Sequence, residues 1–253
     1  MPVQLSGQTR RLVVVLALVV AAVAVALVVL LTRSRDTGDD MDWRSRHPVP
    51  QADGQLDPGF GAPDVKGYYS SQLVRPGPET WTKVRPSSAY RVLVLADGKD
   101  DHTPRDAQVA TLVNAVQKWA QEEDRVKLKI RYLSDPQTYT EGIDKAASGD
   151  NADLIVTAGN NLVDPVAAIS ANYAGENPQQ FLMLGAEVAE PTNNIAASDW
   201  TGSAYLGEGL SESQYYDPAS VTAPRAYAAL RAGVAAILSG YRSLIVRIPT
   251  DLY

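Results

Sequence analysis

Two short apolar strands, each followed by a turn of small and amide residues, constrain this fold more than any other feature of the sequence. Asp153-Leu-Ile-Val-Thr157 runs into Ala-Gly-Asn-Asn, and Phe181-Leu-Met-Leu184 runs into Gly-Ala-Glu-Val. Open α/β sheets build their ligand crevices with such turns between a buried strand and the next helix. The sequence therefore predicts a sheet with polar side chains at the carboxyl ends of its strands.

Strand and helix signals alternate along the whole of residues 90–248. The continuous apolar run at 91–96 is typical of a central strand that is buried on both faces. Apolar side chains recur at helical spacing over 109–119. Those at 126–132 alternate with Lys and Arg, which is typical of a strand near a sheet edge. The other predicted elements are strands at 195–198 and 243–248 and helices at 138–148, from Asp164 and at 225–238. This order predicts the α/β class with a single doubly wound, mostly parallel sheet.

Two of the predicted helices carry recognisable start signals. Thr138 and Glu141 have the spacing of a capping box, so the Thr138 side chain is expected to cap the helix that follows. Asp164 stands directly before Pro165, which predicts Asp164 as the N-cap and Pro165 in the first helical turn.

The most apolar part of the chain is a run of twenty Leu, Val and Ala residues at 12–31. At a rise of about 1.5 Å per residue it makes a helix of about 30 Å, the hydrocarbon thickness of a bilayer. A core helix would show a polar stripe, and a cleaved signal peptide would have an apolar region of roughly 7–15 residues. Residues 12–32 are therefore predicted to be an uncleaved single-pass anchor, with the lipid bilayer as a partner.

Residues 33–89 hold seven of the sixteen prolines and six of the eighteen glycines, without a sustained period. This composition predicts either an extended, mobile tether or a strap that lies on the domain. A strap would use Tyr68, Tyr69, Leu73 and Trp81 as its contacts. The predicted organisation is a tail at 1–11, the anchor at 12–32, the tether or strap at 33–89, and an α/β lobe at 90–253.

Charge and composition exclude several classes of function. Residues 90–253 hold thirteen Lys and Arg against twenty-one Asp and Glu, and such an acidic domain is a poor electrostatic match for nucleic acid. The chain has no cysteine, which excludes disulfides, cysteine nucleophiles and zinc–thiolate sites. Since it has only two histidines, a histidine-rich metal site is excluded as well.

Polar side chains cluster where the predicted strands end. The candidate ligand-binding residues are Asp97, Asp100 and Asp101 after the first strand, Asn160, Asn161 and Asp164 after the third, Glu187 after the fourth and Trp200 after the fifth. Carboxylates and amides beside an aromatic ring suit a neutral polyhydroxy ligand, because they hydrogen-bond its hydroxyls while the ring packs on an apolar face. The same residue types also dominate turns for geometric reasons, so turn formation is the alternative interpretation.

These residues match none of the common motifs for phosphorylation, calcium binding, phosphate binding or nucleophilic catalysis. A phosphorylation receiver needs an Asp after the third strand and a Lys after the fifth, where this sequence has Asn160 and Trp200. The run 97–101 lacks the spacing and the terminal Glu of a calcium loop, and no glycine-rich phosphate motif or GxSxG elbow is present. We therefore expect no metal, no cofactor and no enzymatic activity.

Three stretches carry a resemblance to a known family. They are Asp153-Leu-Ile-Val-Thr-Ala-Gly with Val166-Ala-Ala-Ile-Ser-Ala-Asn-Tyr, Gln180-Phe-Leu-Met-Leu-Gly with Asn194-Ile195, and Tyr227-Ala-Ala-Leu-Arg-Ala-Gly-Val-Ala-Ala-Ile. These stretches resemble the basic-membrane-protein (BMP) family, the nucleoside-binding branch of the type I periplasmic binding proteins. The resemblance covers residues 90–248. The sequence departs from the family at His102-Thr-Pro-Arg105, where members have a Ser-Phe-Asn-like segment, and in an insertion at 201–224.

The resemblance implies an extracytoplasmic, membrane-anchored solute-binding-like protein with a nucleoside-like or sugar-like ligand, in ABC uptake or sensing. Family members enclose the ligand between two lobes, and this chain spans only about the first. A ligand held by one lobe loses about half of its burial, so a partner subunit or a homodimer is expected to complete the site. The last strand, at 243–248, is expected either to return to the sheet or to pair with another chain.

An interaction module without ligand binding is the alternative function. The long loop predicted at 201–224 carries Tyr205, Tyr215 and Tyr216, and tyrosine is enriched at protein interfaces. In that case the lobe is a scaffold, and the loop docks a partner protein.

Overall fold

Seven parallel strands form the centre of the fold, and helices cover both faces of the sheet. The computed structural model describes residues 51–61, 72–175, 178–188, 191–203 and 216–253, all of which belong to one unit. The strands are β1 (Ala52–Asp53), β2 (Gln72–Val74), β3 (Arg85–Pro86), β4 (Tyr90–Asp100), β5 (Thr103–Pro104), β6 (Val126–Leu133), β7 (Leu154–Ala158), β8 (Phe181–Leu184), β9 (Ile195–Asp199) and β10 (Leu244–Arg247). The α-helices are α1 (Ala107–Glu122), α2 (Tyr139–Gly149), α3 (Val163–Ser170) and α4 (Ala223–Leu238). Short 3₁₀ helices lie at Pro58–Phe60, Pro78–Thr80, Pro136–Thr138, Asn160–Leu162, Ala171–Tyr173, Pro218–Ser220 and Thr250–Leu252.

The spatial order of the parallel strands is β2-β10-β9-β8-β7-β4-β6. From β4 the chain moves outward to β6, crosses back to β7 on the other side of β4, and then adds β8, β9 and β10 in sequence. The predicted α/β class and the doubly wound, mostly parallel sheet are confirmed. The two short strands β1 and β3 form a separate antiparallel pair.

Strand β4 separates two apolar layers because its successive side chains point to opposite faces. Val92 and Val94 join the layer that α1 and α4 cover, whereas Leu93 and Leu95 join the layer beneath α2 and α3. The edge strand β6 is only partly buried along most of its length, as its alternation with Lys and Arg predicts. Burial on both faces of β4 therefore explains its unbroken apolar run.

Strand β4 is longer than its apolar run predicts. It continues through Asp100 and makes a short antiparallel hairpin with β5, with Gly98 opposite Pro104 and Asp100 opposite Thr103. Asp97 is consequently part of a strand and not of the loop that follows it. The residues at 97–100 that extend β4 carry no apolar signal, and they form a strand because Asp97 pairs with Leu133 of β6 and the residues after it pair with β5.

The two predicted side-chain caps are wrong. Thr138 precedes α2, but its hydroxyl donates to the carbonyl of Asp135 at 3.0 Å and makes no cap hydrogen bond. The chain enters α2 through a 3₁₀ turn that Asp135 itself caps, which turns the Thr138 hydroxyl backwards. Asp164 is the second residue of α3, because a 3₁₀ turn at Asn160–Leu162 starts the helical path earlier than Pro165 indicates.

Residues 72–89 lie on the domain as a strap. Leu73 in β2 pairs with Ile245 in β10, so the strap supplies the outermost strand at one edge of the sheet. Trp81 is buried in the α1/α4 layer. Arg231 of α4 donates to the carbonyl of Val84 at 3.1 Å and thereby fixes the strap to that helix. The strap is therefore held by a strand pairing, an aromatic side chain and an arginine.

The last strand returns to the sheet. Strand β10 lies between β9 and β2 and is parallel to both. Of the two outcomes expected for this strand, pairing within the same chain is the one observed.

Several predictions fall outside the described residues. They concern the anchor at 12–32, the strap contacts Tyr68 and Tyr69, and the loop residues Tyr205 and Tyr215. Within the described part of the chain, no helix is long and apolar enough to cross a membrane.

Candidate functional site

The candidate site lies where the sheet reverses its winding direction. Strand β4 has β6 on one side and β7 on the other, and the chain visits them in that order. In open α/β sheets the connections that leave such a point diverge, and ligands bind in the gap outside the carboxyl ends of the strands. Here the gap is bordered by Asp97 in β4 and by Gly159, Asn160 and Asn161 after β7.

Glycines allow the strand ends to approach each other closely. Gly159 has φ +118°, and a Cβ at this position would lie 3.0 Å from the Cβ of Asp97 and 3.4 Å from Val109. Gly185, after β8, has φ +70°, and its Cβ would lie 3.0 Å from Leu112. Side chains rarely adopt such φ values. Both glycines are therefore required by the geometry of the crevice.

Asp97 holds the crevice together from the inside. Its side chain is 2% exposed. Its Oδ1 accepts from the Tyr139 hydroxyl at 2.6 Å and from Arg105 Nε at 3.0 Å, and its Oδ2 accepts from Asn161 Nδ2 at 2.6 Å. Burial, followed by the hydrogen bond to Asp97, raises the pKa of Tyr139, which keeps this donor protonated. Asp97 therefore lies in the predicted crevice, with both of its oxygens bound by other protein groups.

A cleft of about 60 Å³ opens beside Asp97. Its polar side chains are those of Asp97, Asp106, Gln108, Asn160, Asn161, Ser203 and Tyr216. Sites that enclose a whole small-molecule ligand measure roughly 300–1,000 Å³. The cleft therefore has room for one part of such a ligand.

Trp200 forms part of the apolar wall of the cleft. The residue is 0% exposed, and its Nε1 donates to Ser220 Oγ at 3.1 Å. Val109, Leu112 and Val221 complete the apolar lining. The sequence predicts that the Trp200 ring packs on the ligand. The ring lies in the wall of the cleft, and its Nε1–H is already hydrogen-bonded to Ser220.

The two asparagines after β7 bridge the crevice to different parts of the chain. Asn160 Nδ2 donates to the carbonyl of Ser203 at 3.2 Å, which ties this turn to the segment that follows β9. Asn161 Nδ2 donates to Asp97, which ties it to β4. Both residues therefore lie at the predicted site and also stabilise its shape.

The amino end of α1 contributes residues that the sequence did not reveal. Asp106 is the N-cap of α1, and its Oδ1 accepts from the backbone N–H of Val109 at 2.8 Å. Gln108, in the first turn, lines the cleft beside it. The available signal was the position of a helix start directly after the strand at the reversal point, because such a helix directs its first turn into the crevice.

Glu187 belongs to a different cluster. Its Oε1 accepts from Arg247 at 2.8 Å, and Arg247 Nε donates to Asp199 at 3.2 Å. All three side chains are buried at the carboxyl ends of β8, β9 and β10. Burial opposes the charge of Arg247, but attraction to Asp199 and Glu187 raises its pKa. Glu187 is not part of the cleft lining, and the cluster joins three adjacent strand ends.

Three predicted residues lie at the exposed surface outside the cleft lining. Asp100 accepts from the backbone N–H of His102 at 2.8 Å, and this hydrogen bond is the main cause of its lowered pKa. Asp101 accepts from Ser134 Oγ at 3.1 Å. Asp164 lies in the first turn of α3. The structure thus gathers Asp97, Asn160, Asn161, Trp200 and Tyr216 around one cleft and leaves Asp100, Asp101, Asp164 and Glu187 elsewhere.

The described residues contain no group of three His, Asp or Glu side chains placed to hold a metal ion. The acidic residues of the cleft are Asp97 and Asp106. Asp97 is bound by an arginine, a tyrosine and an asparagine, and Asp106 caps a helix. The arrangement is therefore suited to hydrogen bonding.

No protein-family model matches the sequence, and no curated protein matches it. Among solved structures, the chain is similar to a solute-binding protein of an ABC transporter system from Aeropyrum pernix K1, with a TM-score of 0.37 and 19% identity over 45% of this chain and 29% of that one. A solute-binding protein of an ABC transporter system from Conexibacter woesei DSM 14684 gives a TM-score of 0.34 and 18% identity over 45% of this chain and 36% of that one. A fragment named as a lipoprotein from Peptoclostridium difficile 630 gives a TM-score of 0.37 and 21% identity over 48% of this chain and 89% of that one. The chain therefore spans about a third of the length of the two solute-binding proteins.

Proposed function

We propose that the chain is a membrane-anchored, extracytoplasmic solute-binding-type lobe whose cleft holds one part of a nucleoside-like or sugar-like ligand. The observation that carries this proposal is the position of the cleft. It lies outside the carboxyl ends of β4 and β7, at the reversal point of the sheet, where open α/β folds bind their ligands.

The lining of the cleft supports a polar, uncharged ligand. Trp200, Leu112 and Val221 offer apolar wall, and the side chains of Gln108 and Asn160 offer amide groups beside it. This combination matches a molecule with hydroxyl groups on an apolar ring face. We propose a binding role, because the two carboxylates of the lining, Asp97 and Asp106, already accept hydrogen bonds from protein groups.

A second surface is needed to cover the ligand. The cleft of about 60 Å³ is far smaller than the roughly 300–1,000 Å³ of an enclosing site. We propose that a partner subunit or a second copy of the chain closes over the ligand, in ABC uptake or in sensing. Binding by this chain alone is expected to be weak, because much of the ligand stays in water.

Ligand binding is tested by thermal unfolding of the full chain in detergent with a panel of nucleosides and sugars. A ligand that binds only the folded protein raises its stability by about 2.7 kcal/mol at a hundredfold excess over Kd. Gln108→Ala should weaken the binding of that ligand roughly 2- to 10-fold, because one lost hydrogen bond is worth about 0.5–1.5 kcal/mol. Gln137→Ala is the matched control, because Gln137 is exposed outside the cleft lining.

The anchor and its orientation are tested with single cysteines, since the chain has none of its own. Asp101→Cys places a thiol on the exposed surface of the lobe, and Ser6→Cys places one before the proposed anchor. Intact cells should label only the first with a membrane-impermeant maleimide. Labelling of Ser6→Cys alone would reverse the proposed orientation.

A scaffold that docks a partner through the 201–224 loop is the second candidate function. The observation that favours it is the internal use of the crevice groups: Asp97, Asn160 and Asn161 all hydrogen-bond other parts of the protein. In that case no member of the ligand panel changes the unfolding temperature of a folded sample. A partner protein should then be captured by cross-linking to the unmodified chain, and replacement of Tyr205 and Tyr215 should abolish that capture.

A further inference from the structure

We infer that the cleft selects ligands through their hydrogen-bond donors and excludes phosphorylated and other anionic solutes. The inference rests on the proposed function and concerns the same cleft. It comes from how the polar groups are already used, not from their composition alone.

The orientation of the two asparagine amides follows from their partners. Asn161 approaches a carboxylate oxygen of Asp97, and Asn160 approaches the backbone carbonyl of Ser203. Both partners are hydrogen-bond acceptors only, so the amide nitrogen must face them in each case. With its nitrogen held on the protein, each amide has its carbonyl oxygen directed away from that partner, where it can accept a hydrogen bond from a ligand. These oxygens accept hydrogen bonds and do not donate them.

The amino end of α1 is closed to anions. Backbone N–H groups at a helix start, together with the positive end of the helix dipole, commonly bind phosphate or carboxylate. Here the carboxylate of Asp106 already accepts from the Val109 N–H at 2.8 Å. An anion that entered this position would have to displace Asp106 and would meet its negative charge. The first turn of the helix therefore repels the ligands that such a site usually attracts.

The guanidinium of Arg105 is held by groups of the protein. Arg105 precedes Asp106, but its Nε donates to Asp97 and its terminal nitrogen to the carbonyl of Ser134 at 3.2 Å and the hydroxyl of Tyr139 at 3.3 Å. The charge of Arg105 is therefore paired with the carboxylate of Asp97. Among the residues that the structure describes, the cleft lining contains two carboxylates and no Lys, Arg or His, so none of these side chains compensates for the charge of a phosphate.

Together these features define the ligand class. The groups that line the ligand space are mainly carboxylate and amide oxygens, which pair with hydroxyl or amino groups, and the Gln108 amide can also donate. A neutral nucleoside or a sugar meets this requirement, whereas its phosphate ester does not. We expect phosphorylation of a bound ligand to weaken its binding at least tenfold.

The test compares matched pairs of probes on the full chain. Isothermal titration is performed with adenosine and its 5′-monophosphate, with galactose and its 1-phosphate, and with inorganic phosphate alone. The expected result is binding of an unphosphorylated member, at least tenfold weaker binding of its ester, and no binding of inorganic phosphate. Asp106→Asn should reduce the difference in affinity between the unphosphorylated probe and its ester, because asparagine also caps helices but carries no charge.

Asp135→Asn is the matched control, since Asp135 caps the 3₁₀ turn before α2 and does not line the cleft. It should leave the discrimination unchanged. Equal or tighter binding of the phosphate esters would overturn the inference and leave the proposed function standing. Failure of every probe to bind a folded sample would overturn both. A discrimination that Asp106→Asn does not narrow would also refute the inferred role of the α1 start.

Discussion

Replacement of Asp97 by alanine separates a structural role from a ligand-binding role at the centre of the crevice. Asp97 accepts three hydrogen bonds, one from the nearby Arg105 and two from residues distant in sequence, Tyr139 in α2 and Asn161 after β7. If these bonds hold the crevice together, Asp97→Ala should destabilise the protein in the absence of any ligand.

The magnitude follows from the surroundings of each donor. The Tyr139 hydroxyl is in a buried residue, and a buried donor left without its partner costs about 1–3 kcal/mol. Arg105 keeps 35% of its side chain exposed, and Asn161 is exposed as well, so water replaces much of what they lose. Adding about 0.5 kcal/mol for each of these two donors gives a total loss of about 2–4 kcal/mol.

Urea unfolding of the full chain, followed by tryptophan fluorescence, measures this loss. With a slope of about 2 kcal/mol per molar urea, the unfolding midpoint should fall by about 1–2 M. Asp101→Ala is the matched control, because this exposed residue makes one hydrogen bond to Ser134 and should change stability by less than about 0.5 kcal/mol. A stability for Asp97→Ala that equals the control would refute the reasoning. Loss of ligand binding without loss of stability would instead assign Asp97 to direct ligand contact.

Three further predictions concern stability and use the same urea assay. Gly159→Ala should cost about 2 kcal/mol or more, because the residue has φ +118° and the new Cβ would meet the Cβ of Asp97 at 3.0 Å; a loss below about 0.5 kcal/mol would contradict the assigned geometry. Trp81→Ala should cost about 3–5 kcal/mol if the strap is part of the core, since Trp81 is 4% exposed, and a near-neutral result would mean that the strap is a mobile tether. Burial and the hydrogen bond to Glu122 raise the pKa of Tyr227 to about 12 in the folded protein. The contribution of protonated Tyr227 to folding stability is therefore complete below the unfolded pKa of about 10 and is lost as the pH rises through the folded pKa. Tyr227→Phe should therefore flatten the decline between these pH values by about 1 kcal/mol, discounted for partial exposure, and an unchanged decline would exclude Tyr227 as its source.

The strands and helices of the sheet could be predicted because each carries a local signal. The apolar run in β4, the alternation in β6 and the helical spacing of α1 reflect burial that repeats along a single element. Strand β2 carries no such signal. It has three residues within a proline-rich segment, and it becomes a strand only because β10 lies beside it.

Half of the predicted ligand-binding residues, Asp97, Asn160, Asn161 and Trp200, line the cleft, but their roles could not be predicted. A polar residue at a strand end is visible in the sequence, whereas its hydrogen-bond partner is not. Asp97 is bound by residues 42 and 64 positions away, and Glu187 is bound by Arg247 60 positions away. The same distance in sequence explains why strand-end position alone groups Glu187 with the cleft residues.

The pairing of β2 with β10 also sets an order of events during synthesis. Leu73 and its partner Ile245 are about 170 residues apart in the chain. Strands close to each other in sequence can pair as soon as both have left the ribosome, whereas pairing over such a distance must wait. The strap is made before every strand of the α/β lobe, yet it has no place in the sheet until β10 has been translated. The first strand of the sheet to leave the ribosome is thus the last to find its neighbour.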